Sequence, residues 1–346
     1  MADREPRIEW RRLWLQLRTP FGLSYGPTET RQTCWLRLAG DEGWGEEAIP
    51  PYYGVRQADK EDYWMAQAGR IDPLPEGIAE VAAWVGEAGP ASARCALDMA
   101  LHDRIARRQQ VPLYRSLGLP IPPSLPTSFT VSIAAPDEMA RQAAAATAFS
   151  VLKLKMGSND DASRLAAVRG ARPDARLRID ANGAWVPEEA VRWARLLESY
   201  GVELIEQPVA RQDYDGLALV QASTDLPVVA DESFQSYADL DRVAAAHLKG
   251  INLKLQKIGG IAAALRAARR AGELGLKVML GCMIETSLGT TAAAHLASLA
   301  DWLDLDAPLL IENDPFEGVY FDSTGCLRLP DRPGIGVERR GQHEIL

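Results

Sequence analysis

An α/β fold built on a TIM-type barrel, with a strand-rich segment ahead of it, is predicted by three observations. From residue 127 onward, short apolar runs alternate with Ala-, Leu- and Arg-rich runs of helical period, the pattern of a parallel sheet. The residues that close successive apolar runs, Lys155, Asp180, Glu206, Asp231, Lys254, Gly281 and Asp304, follow one another at 25, 26, 25, 23, 27 and 23 residues, one β/α unit at each step. Eight such units close into a barrel whose reactive groups gather at the C-terminal strand ends, so a line of charges in sequence becomes a ring around one pocket. Before residue 127 that repeat is missing, and alternating strand patterns take its place.

In chain order, "RIEWRRLWLQL" alternates like a strand, and "TCWLRLAGDEGWGEEA" reads as a hairpin with a glycine-containing turn. The eight barrel strands are expected in "SFTVSI", "SVLKLKM", "ARLRID", "VELIEQP", "LPVVADES", "GINLKLQ", "LKVMLGC" and "WLDLDAP". Intervening segments such as "IAAALRAARRAGELG" place apolar residues every three to four positions, as a helix packed on a sheet requires.

Composition narrows the class. With 346 residues, 47% hydrophobic and 25% charged, the chain can bury a large core without disulfides or structural metals. "MADREPRIEW" carries no apolar leader and no run reaches the roughly 20 residues of a membrane span, so a cytoplasmic protein is expected. Cys34, Cys95, Cys282 and Cys326 are far apart with no CxxC pair, which predicts free thiols. A net charge of −9 without a basic cluster offers no footprint for nucleic acid or an anionic membrane, and a small-molecule partner is favoured.

The chain uses 31 arginines and only 7 lysines, yet Lys153, Lys155 and Lys254 lie in apolar strand-like runs. Residues i and i+2 of a strand share one face, so Lys153 and Lys155 occupy one environment. Lysine can release a proton where arginine cannot, and burial beside other cations lowers its pKa toward the range of a general base. Edge-strand lysines facing solvent are the alternative. Asp180, Glu206 and Asp231 end the third, fourth and fifth barrel strands, so hard oxygen donors converge as a divalent cation such as Mg²⁺ requires. Each of the three could instead cap a helix or form a turn, but their unit spacing argues for one site. Lys155 and Lys254 end the second and sixth strands, on opposite sides of whatever the metal holds.

The KxK pair, the acidic set in "IDANGAW", "IEQP" and "ADES", and the lysine in "NLKLQKIGG" resemble the muconate-lactonizing branch of the enolase superfamily over essentially the whole chain. "GCMIETSLGTTAAAHLA" and "LDLDAPLL" resemble the dipeptide epimerases of that branch, the group that includes L-Ala-D/L-Glu epimerase. The resemblance implies an α/β architecture of a modified (β/α)7β barrel over residues 126–319. It also implies an N-terminal α+β capping domain, residues 1–125, completed by the tail at about 320–346. One Mg²⁺ per subunit is implied, with Mn²⁺ able to substitute, and a dipeptide is the implied substrate. A homo-oligomer is compatible with this reading.

The chemistry implied is removal and return of the α-proton of a dipeptide's C-terminal residue. Lys155 and Lys254 exchange the roles of base and acid on opposite faces, and Lys153 keeps its charge, neutralises the oxyanion and lowers the pKa of Lys155. Asn182 and Glu232 are expected to hold lysines and ligands in place. Asp304 and Asp306 face one way by the period-two rule and suit a substrate's α-ammonium; capping the following loop is the other possibility for them. Met283 and Ile284 on the loop after the seventh barrel strand are further substrate-binding candidates. His102, His247, His295 and His343 belong to no strand-end motif and are expected to be structural.

Relatives acting on Ala-Glu carry an arginine in the N-terminal loop, where this sequence offers Tyr25 and Gly26. With Tyr52 and Tyr53 on the second loop, a neutral or hydrophobic side chain is the expectation; Arg31 would restore an acidic preference, and Glu29 or Glu47 a basic one. The alternatives are an N-succinylamino acid racemase or o-succinylbenzoate synthase of the same branch. Outside it stand a metal-free Schiff-base lyase and a non-catalytic binder.

Overall fold

The computed structural model describes residues 7–23 and 26–341. Strands β1 (Ile8–Leu23), β2 (Gly26–Leu38) and β3 (Trp44–Glu47) form an antiparallel sheet in that order. The alternation seen in the sequence gives this sheet two buried faces. Leu13, Leu15, Leu17, Phe21, Trp35 and Trp44 join the large core shared with the barrel, while Ile8, Cys34, Leu36 and Leu38 meet Tyr63, Trp64, Val81, Leu97 and Leu101 of the neighbouring helices.

The helix Ala91–Arg108 lies between those two cores and is buried along most of its length. Its alanines allow β3 to approach unusually closely. A Cβ on Gly45 would sit 1.8 Å from the carbonyl oxygen of Ala96, so only glycine is tolerated there.

Eight parallel strands follow: β4 (Phe129–Val131), β5 (Val151–Lys155), β6 (Arg176–Asp180), β7 (Val202–Glu206), β8 (Val228–Ala230), β9 (Gly250–Leu253), β10 (Lys277–Gly281) and β11 (Trp302–Asp304). They pair in sequence order, and a parallel bridge between Thr127 and Leu303 brings the ends together. A helix packs after each of β4 to β10, giving the expected (β/α)7β plan. Every strand predicted from the sequence is present. Leu204, Val229, Met279 and Trp302 form an apolar layer one inward-facing step below the polar strand ends.

The register sets the height of the reactive groups. Lys155 pairs with Asp180, and Asp180 with Glu206, so three strands end level. Asp231 and Lys254 stand one residue beyond β8 and β9. After the barrel, the chain returns to the N-terminal sheet and the linker: the Glu312 amide donates to the Gln16 carbonyl at 2.9 Å and the Leu113 amide to the Gly334 carbonyl at 2.8 Å, while Phe316–Glu317 pairs with Glu338–Arg339 within the tail. All four cysteines are free thiols, and no helix among the described residues is long and apolar enough to cross a membrane.

Candidate active site

At the barrel mouth, Asp180, Glu206 and Asp231 are buried, with one carboxylate oxygen of each lying within 4.8 Å of the others. The ammonium of Lys153 stands among them: 3.0 Å from Asp180, 2.6 Å from Glu206 and 2.7 Å from Asp304. Lys155 donates to Asp180 at 2.6 Å and to Asn182 Oδ1 at 3.2 Å, and Asn182 Nδ2 donates to Glu232 at 3.0 Å. On the other side Lys254 donates to Asp231 Oδ2 at 2.8 Å. The lysines flagged by the sequence are buried, not edge residues facing solvent.

Asp304 and Asp306 are both in the pocket, although β11 ends at Asp304. Asp304 accepts from Ser128 Oγ at 2.5 Å as well as from Lys153, and Asp306, at the start of the turn Ala307–Leu310, accepts from the Thr130 amide at 2.7 Å. Tyr52 and Tyr53, with rings 5.2 Å apart, line the pocket together with Phe21, Arg31, Met283, Ile284 and Leu310. Tyr25 lies outside the described residues, as does His343. Gly26 is exposed at the start of β2 and is not among the residues lining the pocket.

Electrostatics explains what the cluster lacks. Burial, then the neighbouring Asp180, raises Glu206 to about 8; burial and Asp231 raise Glu232 to about 7; burial and Asp304 raise Asp306 to about 6. Burial opposes the charge on Asp180, but Lys153 and Lys155 outweigh it and hold the carboxyl at about 2. Desolvation acts to lower Lys153 and Lys254, yet the carboxylates around them dominate and both stay well above the usual lysine value. For Lys254 this reverses the expectation that flanking cations would lower it. The reason is the balance of groups: Asp180, Glu206, Asp231, Glu232, Asp304 and Asp306 outnumber Lys153, Lys155, Lys254, Lys257 and the Arg31 guanidinium at the pocket.

Residues 137–343 match the family described as "Enolase C-terminal domain-like". The chain is 35% identical to the L-Ala-D/L-Glu epimerase of Bacillus subtilis, over 96% of each chain. It is 37% identical to the hydrophobic dipeptide epimerase of Enterococcus faecalis, over 76% of this chain and 77% of that one. The crystal structure of the Enterococcus faecalis V583 dipeptide epimerase, complexed with Mg and the dipeptide L-Leu-L-Tyr, superposes with a TM-score of 0.89 at 30% identity, covering 96% of this chain and 99% of that one.

The chain belongs to the enolase superfamily. Within that superfamily it groups with the dipeptide epimerases, which are isomerases.

The residues present fit the divalent cation found in that enolase-superfamily neighbour. If all are ionised, six carboxylates against four ammonium groups and the Arg31 guanidinium leave one negative charge to be balanced. Glu206 Oε2 is buried and faces Lys153 without the alignment of a hydrogen bond. An all-oxygen donor set of this kind is the chemistry Mg²⁺ prefers.

Three features of this superfamily member escaped the sequence reading. Lys257 is buried and donates to Asp231 Oδ1 at 2.5 Å, to the Asp231 carbonyl at 2.7 Å and to the Asn252 carbonyl at 2.9 Å. Its signal was present, since one of only seven lysines stands three residues after Lys254. Asn252 Nδ2 holds Glu206 Oε1 at 2.7 Å. Glu47, weighed as a partner for a basic substrate, is spent inside the fold, where it meets Lys60 at 2.9 Å and accepts from the Ile49 amide at 3.0 Å. Glu29 is exposed.

Proposed function

We propose that the protein is a Mg²⁺-dependent dipeptide epimerase that inverts the α-carbon of a dipeptide's C-terminal residue. The observation that carries this reading is the pair Lys155 and Lys254, which end the second and sixth barrel strands on either side of the acidic triad. Asp180, Glu206 and Asp231 hold the cation, which when bound supplies Lewis-acid neutralisation of the charge that builds on the substrate carboxylate as the α-proton leaves. Lys155 takes or returns that proton on one face and Lys254 on the other. Lys153 remains an ammonium and stabilises negative charge beside the reacting carbon. Asn182 and Glu232 fix the position of Lys155. Asp306, with Asp304, receives the substrate's α-ammonium. Residues 1–125 and the tail form the cap over a barrel of residues 126–319. The four unpaired thiols support a cytoplasmic setting.

For the inverted residue, Phe21, Tyr53, Met283, Ile284 and Leu310 favour a neutral or hydrophobic side chain. Burying a Leu-sized group contributes roughly 1.5–3 kcal/mol, about one to two powers of ten in specificity. A second reading rests on Arg31, which lines the pocket with a buried Nε that has no hydrogen-bond partner among the described residues. An acidic side chain would pair with it.

The test is deuterium incorporation from D₂O into a library of L,L-dipeptides. Ala-Leu and Ala-Phe are expected to exceed Ala-Glu, and Arg31→Met to leave that order in place. Ala-Glu well ahead, with its advantage lost in Arg31→Met, would favour the acidic reading. Turnover of N-succinylamino acids with dipeptides inert would overturn the function. Lys155→Ala and Lys254→Ala are each expected to abolish net epimerisation, while one of them still exchanges the α-proton of a single epimer.

A further inference from the structure

Gln256 joins three segments that wall the pocket above Lys254. It lies two residues after that lysine, in the turn Leu255–Ile258, and is 2% exposed. Its Oε1 accepts from the Ala48 amide at 3.1 Å, and its Nε2 donates to the Glu46 carbonyl at 3.0 Å and to Glu285 Oε2 at 3.3 Å. Ala48 and Glu46 lead into the loop that carries Tyr52 and Tyr53. Glu285 belongs to the loop that carries Met283 and Ile284.

The roof these loops form has little apolar packing of its own. Ala48, Ile49 and Met283 make a small cluster separate from the large cores, with only Tyr53 and Val55 against it. Segments with few apolar contacts open readily unless polar anchors hold them. The Ile49 amide bound to Glu47 is one anchor, the Glu46 carboxylate accepting from Thr286 and Gly289 is a second, and Gln256 is a third, the one that ties the Ala48 amide to the turn after Lys254.

We infer that Gln256 is a positioning residue for substrate selection: its single amide holds the Tyr53 roof and the Met283 wall at a fixed height over Lys254. The group must offer one acceptor and two donors on one plane, which only a carboxamide does at this length. Methionine fills the same volume and offers neither. Glutamate would turn an acceptor toward the Glu46 carbonyl and Glu285, where donors are needed.

This inference rests on the reading of the pocket as a dipeptide site, and the experiment separates the two. In Gln256→Met, hydrogen exchange of the segment spanning residues 46–54, measured without substrate, is expected to accelerate about tenfold or more. KM for the accepted dipeptide should rise by about tenfold with kcat within about threefold, the signature of lost binding rather than lost chemistry. Mn²⁺ affinity should not change. Unchanged loop exchange and unchanged KM would overturn the inference, as would a fall in kcat at constant KM. If circular dichroism shows that Gln256→Met fails to fold, Gln256→Asn, which keeps the amide but withdraws it by one methylene, gives the same two readouts. A library without any exchanging dipeptide would sink the function, and the loop measurement would still decide the anchor.

Discussion

The barrel mouth and the seam that fastens the C-terminal tail both bury charge, and they balance it in opposite ways. At the seam, Asp103 accepts from the Trp44 amide at 3.0 Å and the Ile335 amide at 2.7 Å, and pairs with Arg107 at 2.8 Å. His295 joins the same seam, with Nδ1 accepting from the Tyr114 amide at 3.1 Å and Nε2 meeting the Ile335 carbonyl at 3.0 Å. These two groups are satisfied within the chain. At the mouth, six carboxylates face four ammonium groups and one guanidinium, and Glu206 Oε2 lacks an aligned donor. Complete pairing marks a structural joint; a deficit of positive charge marks a place kept for a cation.

That contrast can be broken most sharply at the seam. Asp103→Ala strands two buried backbone amides and removes one ion partner of Arg107, and is expected to cost about 3–5 kcal/mol in urea denaturation. The kcat of the protein that remains folded should be unchanged. Loss of Mn²⁺ binding without loss of stability would mean that the two regions are not independent.

His295 provides the next test. Burial holds it at about 4, below the ordinary 6.5. The unfolded chain therefore takes up a proton near pH 6.5 that the folded ring refuses until about pH 4. Stability from this group is fully present above pH 6.5 and falls as pH drops through that window, by about 3 kcal/mol in all. His295→Gln should flatten this part of the acid-stability curve. An unaltered slope would show that the ring titrates alike in the folded and unfolded chain.

The smallest effect belongs to the mouth. Mg²⁺ at about a hundred times its Kd should stabilise the wild-type protein by about 2.7 kcal/mol in a thermal-shift series at constant ionic strength. Glu206→Gln should remove that response. An equal Mg²⁺ response in the variant would exclude Glu206 as a ligand.

Much of the mouth was legible because it is written at the ends of strands. The repeat of polar residues at unit spacing gave the barrel and its acidic triad together, and the i, i+2 rule put Lys153 and Lys155 on one face. What stayed hidden depends on contacts that no local pattern encodes. Lys257 reaches Asp231 only because Leu255–Ile258 forms a single helical turn after β9. Asn252 reaches Glu206 only because β9 lies two strands away in the closed barrel. The withdrawal of Glu47 depends on Lys60, which sits on a helix thirteen residues away in sequence. In each case a tertiary partner, not the residue itself, decided the role.

The roof of the pocket also has a history within each molecule. Glu46 accepts from Thr286 across 240 residues, and the Gln16 amide donates to Asn313 across 297. Contacts that span so much chain close late in folding, after the local β/α units have formed. A nascent chain on the ribosome can complete its N-terminal sheet and most of its barrel while the pocket still stands open to water. The segment around Thr286 is the one that fastens the roof, so the site comes into being only after most of the barrel strands have been made.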